Sequence, residues 1–267
     1  MIRNFCFSVA LFALVAGNGS AFAGTPQGEQ TAAHSSVISY DQIGPRMAAA
    51  RVKNWTSGYR QPGPAVSGSG TLTAVIGESA LVLTAGHLFE DKIGPITVEF
   101  NDGQISGARI LALDKKLDVA ALWIFAPKDI APMPIARRNP PVGKQVEIWG
   151  YGPKRFRSFL ARIARPIPMA GDAPKTLIAA QGVEDRQVTI PGDSGGPMVA
   201  EGQIVAVHWG YRGTEEDPRR CVHALGCSTL AEWLRGNLDP ALWRRCLAYE
   251  DQQTSRVVTP ALSAGMN

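Results

Sequence analysis

The chain has 267 residues, 45% of them hydrophobic, with 27 Lys+Arg against 23 Asp+Glu and a net charge of +4. A balance this mild excludes a basic nucleic-acid track: the cations lie in short scattered groups, Lys154-Arg155-Phe156-Arg157, Arg219-Arg220 and Arg244-Arg245, with no nucleic-acid motif beside them. Past the N-terminus no stretch approaches the about 20 apolar residues of a membrane-spanning helix, so neither nucleic acid nor membrane is expected as a partner of the mature chain.

Residues 1–23 carry Arg3, an apolar core from Phe5 to Ala16, and Ala21-Phe22-Ala23 before Gly24. This is the pattern of a secretory signal peptide with a small-x-small cleavage site, and it implies a secreted or periplasmic protein starting near Gly24. Cys6 would leave with the signal. Residues 24–44 are small and polar without periodicity and read as a flexible segment. The mature chain of about 244 residues suits one all-β domain, placed at 45–250, with a loose tail at 251–267.

Short β-rich runs follow in chain order: Gly68–Ile76, Ala80–Thr84, Ile96–Phe100, Ile105–Leu113 and Val119–Phe125, separated by Gly, Asp or Asn turns. Their density argues for a barrel. Pro132, Pro134, Pro140 and Pro141 then mark a connection near 130–142, after which Gln145–Tyr151, Phe159–Ile167, Thr176–Gly182 and a hairpin at Glu201-Gly202 supply further strands. Helical signals close the domain. Thr229-Leu230-Ala231-Glu232 fits a capping box with Leu230, Trp233 and Leu234 on one face, and Asp239-Pro240 can start another helix carrying Leu242, Trp243 and Leu247.

The chemistry concentrates in Gly192-Asp193-Ser194-Gly195-Gly196-Pro197. A serine flanked by glycines on a tight turn exposes its hydroxyl, and the turn's N–H groups can face an incoming carbonyl, which suits acyl transfer. Serine is a weak nucleophile at neutral pH and needs a histidine base oriented by a carboxylate. Of the four histidines, His34 lies in the polar N-terminal stretch and His223 between two cysteines. His87 ends the strand-like Ala80–Thr84 run in Thr84-Ala85-Gly86-His87. Asp118 heads the apolar run Val119–Ile124, where a charge needs a specific partner, whereas Asp91, Asp102 and Asp114 sit in polar, turn-like contexts.

Thr84-Ala85-Gly86-His87, Asp118-Val119-Ala120-Ala121-Leu122 and Gly192-Asp193-Ser194-Gly195-Gly196-Pro197, in that order, resemble the signature segments of trypsin-like (chymotrypsin-fold) serine proteases. The order His, Asp, Ser separates them from subtilisin-type and α/β-hydrolase triads. The resemblance implies an all-β fold of two six-stranded antiparallel barrels with a C-terminal helix. It implies Ser194 as nucleophile, His87 as general base, Asp118 as the residue holding the imidazole tautomer, and the N–H groups of Gly192 and Ser194 as the oxyanion hole. Substrates are expected to be proteins or peptides, with no cofactor, no metal and a monomeric chain. In animal relatives the aspartate matching Asp193 pairs with a new N-terminus released by cleavage. No Ile-Val-Gly-Gly-like sequence occurs upstream here, so Asp193 is expected to serve backbone N–H groups of the turn. Two alternatives stand beside this reading, an inactive protease-fold binding module and an envelope quality-control protease.

In this fold the primary pocket is walled by residues matching Val188-Thr189-Ile190 and Val207-His208-Trp209-Gly210. Val188 in place of an aspartate argues against cleavage after Lys or Arg. Thr189 and His208, with Gly210 on the same strand, resemble the carboxylate-binding set of secreted bacterial glutamyl endopeptidases, which implies a Glu/Asp preference; the other reading of His208 is a hydrogen-bonded strand residue beside the triad. Among the cysteines left after signal removal, Cys221 and Cys227 bracket a short loop containing Gly226 that a disulfide could close, with Cys246 as a buried thiol or as partner of either. A Cys221, His223, Cys227 metal site lacks the familiar zinc spacings.

Overall fold

Ser79–Thr84, reading Ser-Ala-Leu-Val-Leu-Thr, and Val119–Phe125, reading Val-Ala-Ala-Leu-Trp-Ile-Phe, are near-continuous apolar runs, and they pair in the first barrel. Leu81 lies opposite Trp123 and Leu83 opposite Ala121. The computed structural model describes residues 44, 46–56, 66–152, 155–164, 177–183, 189–212 and 221–247, with backbone alone for Leu177, Tyr211, Arg212 and Cys221. The expected signal sequence 1–23, most of the 24–44 segment, Val188, Arg219-Arg220 and the expected tail 251–267 lie outside the described residues.

Strands β1 Ala49–Asn54, β2 Val66–Ile76, β3 Ser79–Thr84, β4 Ile96–Phe100, β5 Ile105–Asp114 and β6 Val119–Phe125 close a barrel in the order β1-β2-β3-β6-β5-β4. Strands β7 Gln145–Gly150, β8 Arg157–Ala164, β9 Leu177–Gly182, β10 Pro197–Ala200, β11 Gln203–Arg212 and β12 Cys221–Gly226 close a second, in the order β10-β11-β12-β9-β8-β7. All of these pairings are antiparallel. This is the expected all-β fold of two six-stranded barrels. The Glu201-Gly202 hairpin forms as read, with φ of 51° and 73° at consecutive positions, the left-handed pair that a two-residue turn requires.

Two strands were not legible. β1 reads Ala-Ala-Arg-Val-Lys-Asn, and its cations are neutralised only through pairing: Arg51 faces Glu99 of β4 in register and forms an ion pair with it, and Lys53 Nζ reaches the same carboxylate at 3.0 Å. β12 occupies the stretch between Cys221 and Cys227 that reads as a loop.

The C-terminal helices α1 Cys227–Asn237 and α2 Pro240–Leu247 form, but α1 starts two residues before the expected capping box, after Gly226, with no cap bond from its own side chains. Asn139, from the connection between barrels, does this work: its Oδ1 accepts the Ser228 N–H at 3.0 Å. Asp239 caps α2 as expected, its Oδ1 accepting the Ala241 N–H at 2.8 Å. The connection itself is tied down, with Met133 N–H donating to Leu72 O and Ala136 N–H to Ile204 O, both at 2.9 Å. The barrels meet along β1, β2 and β7, where the Tyr151 hydroxyl donates to Ala49 O at 3.2 Å; burial pushes its pKa well above the ordinary tyrosine range. The candidate site lies on this seam.

Candidate active site

β3 ends at Thr84, and Gly86–Phe89 form one 3₁₀ turn that carries His87. A Cβ on Gly86 would crowd Val119 N and Asp114 O at 3.0 and 3.1 Å, so glycine lets this turn lie close against the start of β6. Asp118 takes a left-handed backbone conformation, φ 52°, that is uncommon for any residue with a side chain. Its carboxylate then meets His87 twice. Oδ1 accepts the His87 backbone N–H at 2.6 Å and Oδ2 lies 2.8 Å from ring Nδ1. The bond from Asp118, with its charge, holds the His87 pKa above the ordinary 6.5 although burial pulls it down. A proton on Nδ1 shared with Asp118 leaves Nε2 as the acceptor, which is the tautomer a general base needs.

The other acids are elsewhere engaged. Asp114 Oδ1 accepts the N–H groups of Lys116 and Leu117, and Asp102 Oδ1 accepts that of Gln104, so both are turn residues; Asp91 is exposed.

The nucleophile turn runs from Ile190 to Gly196. Gly192 and Gly195 have φ of 101° and 88°, a region where side chains are strained. Among the described residues the N–H groups of Gly192 and Ser194 donate to no protein acceptor, whereas Asp193 N–H donates to Ile190 O at 3.0 Å and Gly196 N–H to Asp193 O at 3.0 Å. The Ser194 hydroxyl has one contact, 3.4 Å to Trp209 O, long enough to leave it weakly committed. It makes no hydrogen bond to His87 in this arrangement, as is common before substrate binds.

Asp193 is almost wholly buried, yet every face of its carboxylate is used: Oδ1 accepts Gly152 N–H, Oδ2 accepts Ile190 N–H, both at 2.9 Å, and Arg157 Nη1 lies 3.2 Å from Oδ2. Burial raises its pKa, and the two backbone bonds and the guanidinium oppose that shift. The expected service to backbone N–H groups is present. Arg157, which was not singled out from the sequence, supplies the counter-charge from within the chain.

Beside the triad, His208 pairs with the turn through its backbone, accepting Gly195 N–H at 2.6 Å and donating to Gly196 O at 2.9 Å. Its ring is wholly buried, and neither nitrogen has a hydrogen-bond partner of normal geometry, although backbone of Asp193 and Gly210 lies close enough to favour the charged form. Desolvation dominates and pushes its pKa down to about 4. Thr189 is fully buried, and among the described residues a Cβ on Gly210 would meet no atom within 4 Å. His223 lies behind, its ring edge-on to Trp209 at 5.8 Å.

The family model of the trypsin-like peptidase domain matches residues 68–207, over half of the chain and all three of these segments. The chain belongs to the trypsin-like peptidase domain family. It is accordingly a serine endopeptidase acting on protein or peptide substrates. A search of curated proteins finds no match. Among solved structures the peptidase is similar to the active form of the Rv3671c protease from M. tuberculosis, at 22% identity and TM-score 0.58, covering 77% of this chain and 88% of that one. The inactive form of that protease matches at 20% identity and TM-score 0.56, covering 74% and 92%. The serine endoprotease from Yersinia pestis matches at 22% identity and TM-score 0.57, covering 76% and 68%. Likeness at this identity shows the fold.

Of the cysteine readings, Cys246 as a buried thiol agrees with the structure, and a disulfide is not shown. Cys227 and Cys246 of the peptidase carry buried thiols, and no disulfide forms among the described residues. Cys221 opens strand β12 and Cys227 follows its end, six extended steps and about 20 Å away, whereas a disulfide needs Cα atoms within about 7 Å. The Cys227 thiol instead lies 3.4 Å from Asn139 Oδ1. No group of metal-ligating residues occurs among the described residues.

Proposed function

We propose that this peptidase is exported, secreted or periplasmic after loss of residues 1–23, and that it cleaves peptide bonds through an acyl-enzyme on Ser194, with Glu or Asp preferred before the scissile bond. His87 takes the Ser194 proton and returns it to the leaving amine. Asp118 holds the imidazole in the productive tautomer and stabilises its charged form. The N–H groups of Gly192 and Ser194 receive the oxyanion, each donor worth about 10²–10³ in rate. The observation that carries the reading is the double contact of Asp118 with His87, which gives a ring fixed at Nδ1 with Nε2 left to accept a proton.

The acidic preference rests on three groups. Thr189 carries a buried hydroxyl, a Cβ on Gly210 would meet no described atom, and the buried ring nitrogens of His208 have no partner of normal geometry, a deficit that a substrate carboxylate could make good. With its pKa near 4 in the free protein, His208 is neutral at pH 7 and offers one N–H; an entering carboxylate favours its protonated form, so the preference should weaken as pH rises. A peptide-library cleavage profile of the mature protein tests this reading. Glu ahead of Asp at that position, with His208→Ala costing Glu substrates far more than neutral ones, is expected. A profile led by Arg, Lys or large aromatics would overturn the pocket assignment.

A further inference from the structure

We propose that Ser69 is a positioning residue for hydrolysis: from the first barrel, its hydroxyl and backbone hold the oxyanion turn of the second in register. The inference rests on Gly192 and Ser194 supplying the oxyanion hole.

Ser69 lies on β2, is 1% exposed, and uses every polar group it has. Its hydroxyl donates to Gly192 O at 2.7 Å and accepts the Tyr151 N–H at 2.8 Å. Its backbone N–H donates to Ser194 O at 2.7 Å, and its carbonyl accepts the Thr84 hydroxyl at 2.6 Å. A hydroxyl engaged as donor and acceptor at once has no free rotor. One residue thereby joins β2, the end of β3 that leads to His87, the end of β7, and the nucleophile turn.

The geometry says what this achieves. The Ser194 N–H belongs to the peptide between Asp193 and Ser194. The peptide plane before it carries the Gly192 carbonyl, pinned by the Ser69 hydroxyl; the plane after it carries the Ser194 carbonyl, pinned by the Ser69 N–H. Asp193 N–H closes the first plane onto Ile190 O. Gly192, at φ 101°, has no side chain to resist rotation; within the turn the plane of the Ser194 N–H is tied by Gly196 N–H donating to Asp193 O at 3.0 Å, and Ser69 ties the planes on either side of it from outside. Backbone packs directly on backbone here. A Cβ on Gly195 would overlap the Ser69 carbonyl oxygen, and one on Gly68 would lie 2.7 Å from Ser194 O.

The test uses Ser69→Ala with the isosteric pair Ser69→Thr and Ser69→Val. Because an oxyanion donor contributes about 10²–10³ in rate, a partly misdirected one should lower kcat by about 10- to 100-fold with KM held within about twofold. Affinity for a peptide boronate should fall by the same factor while binding of product peptide is unchanged. Ser69→Thr should keep most of the activity and Ser69→Val should not; if Ser69→Ala does not fold, this pair decides. Folded Ser69→Ala with wild-type kcat, a loss confined to KM, or equal Thr and Val variants would overturn the inference. Failure of a phosphonylating reagent to label Ser194 in the wild type would defeat the reading of the site instead.

Discussion

Asp118 holds His87 by two atoms, one carboxylate oxygen on the backbone N–H at 2.6 Å and the other on ring Nδ1 at 2.8 Å. The first bond fixes where the residue sits and the second fixes how its ring turns. Asp118→Asn keeps the shape but presents an amide to Nδ1, favouring the wrong tautomer, so kcat should fall by about 10⁴ with the fold intact. Equal activity of Asp118→Asn, with loss in Asp114→Asn, would move the role to Asp114.

The same contact sets a pH dependence. His87 must be neutral to accept a proton, and Asp118 holds its pKa above 6.5, so kcat/KM should rise with pH through a transition above that value. Asp118→Asn removes the raising partner and should move the residual activity's transition to lower pH. An acid limb unmoved by that substitution would show that another group titrates.

Arg157 faces a carboxylate that is nearly out of solvent. Removing one partner of such a pair strands the other charge, so Arg157→Ala should destabilise the folded protein by about 1–3 kcal/mol at pH 7. The deficit should shrink in acid as Asp193 takes up a proton, and denaturant titrations at pH 7 and pH 4 read it. A deficit that grows in acid would contradict the assignment.

How far the sequence reached is visible in these residues. His87, Asp118 and Ser194, the proposed triad, could be singled out because each ends or heads a run whose pattern marks it, an apolar strand for the first two and a glycine turn for the third. Ser69 was not, because Gly68-Ser69-Gly70 reads only as a strand start and its partners lie 82 and 123 residues away. Arg157 sits in a basic group that reads as solvated surface, and its contact with Asp193 spans 36 residues. β1 was missed for a related reason: its cations are satisfied by Glu99 on the neighbouring strand β4 and not by anything local, whereas β12 was read as the loop between two cysteines.

His208 gives a stability prediction. Its folded pKa, about 4, lies below the unfolded 6.5, so its contribution is present above pH 6.5 and is lost as pH falls toward 4, by roughly 3 kcal/mol for a shift of this size. Wild type should therefore lose more stability between pH 7 and pH 4 than His208→Leu. Parallel losses in the two proteins would contradict a neutral, desolvated ring.

Export predicts an intact mass beginning at or shortly after Gly24, since Ala21 and Ala23 fit signal peptidase. Secreted material that retains residues 1–23 would point to a membrane anchor.

The most direct measurement is peptide mapping after treatment of the purified mature protein with a phosphonylating serine reagent, run beside hydrolysis assays of Ser194→Ala. One adduct per chain, on Ser194, with loss of activity in step with labelling and no turnover by folded Ser194→Ala, is the predicted result. An unlabelled Ser194, or normal turnover by folded Ser194→Ala, would contradict the account.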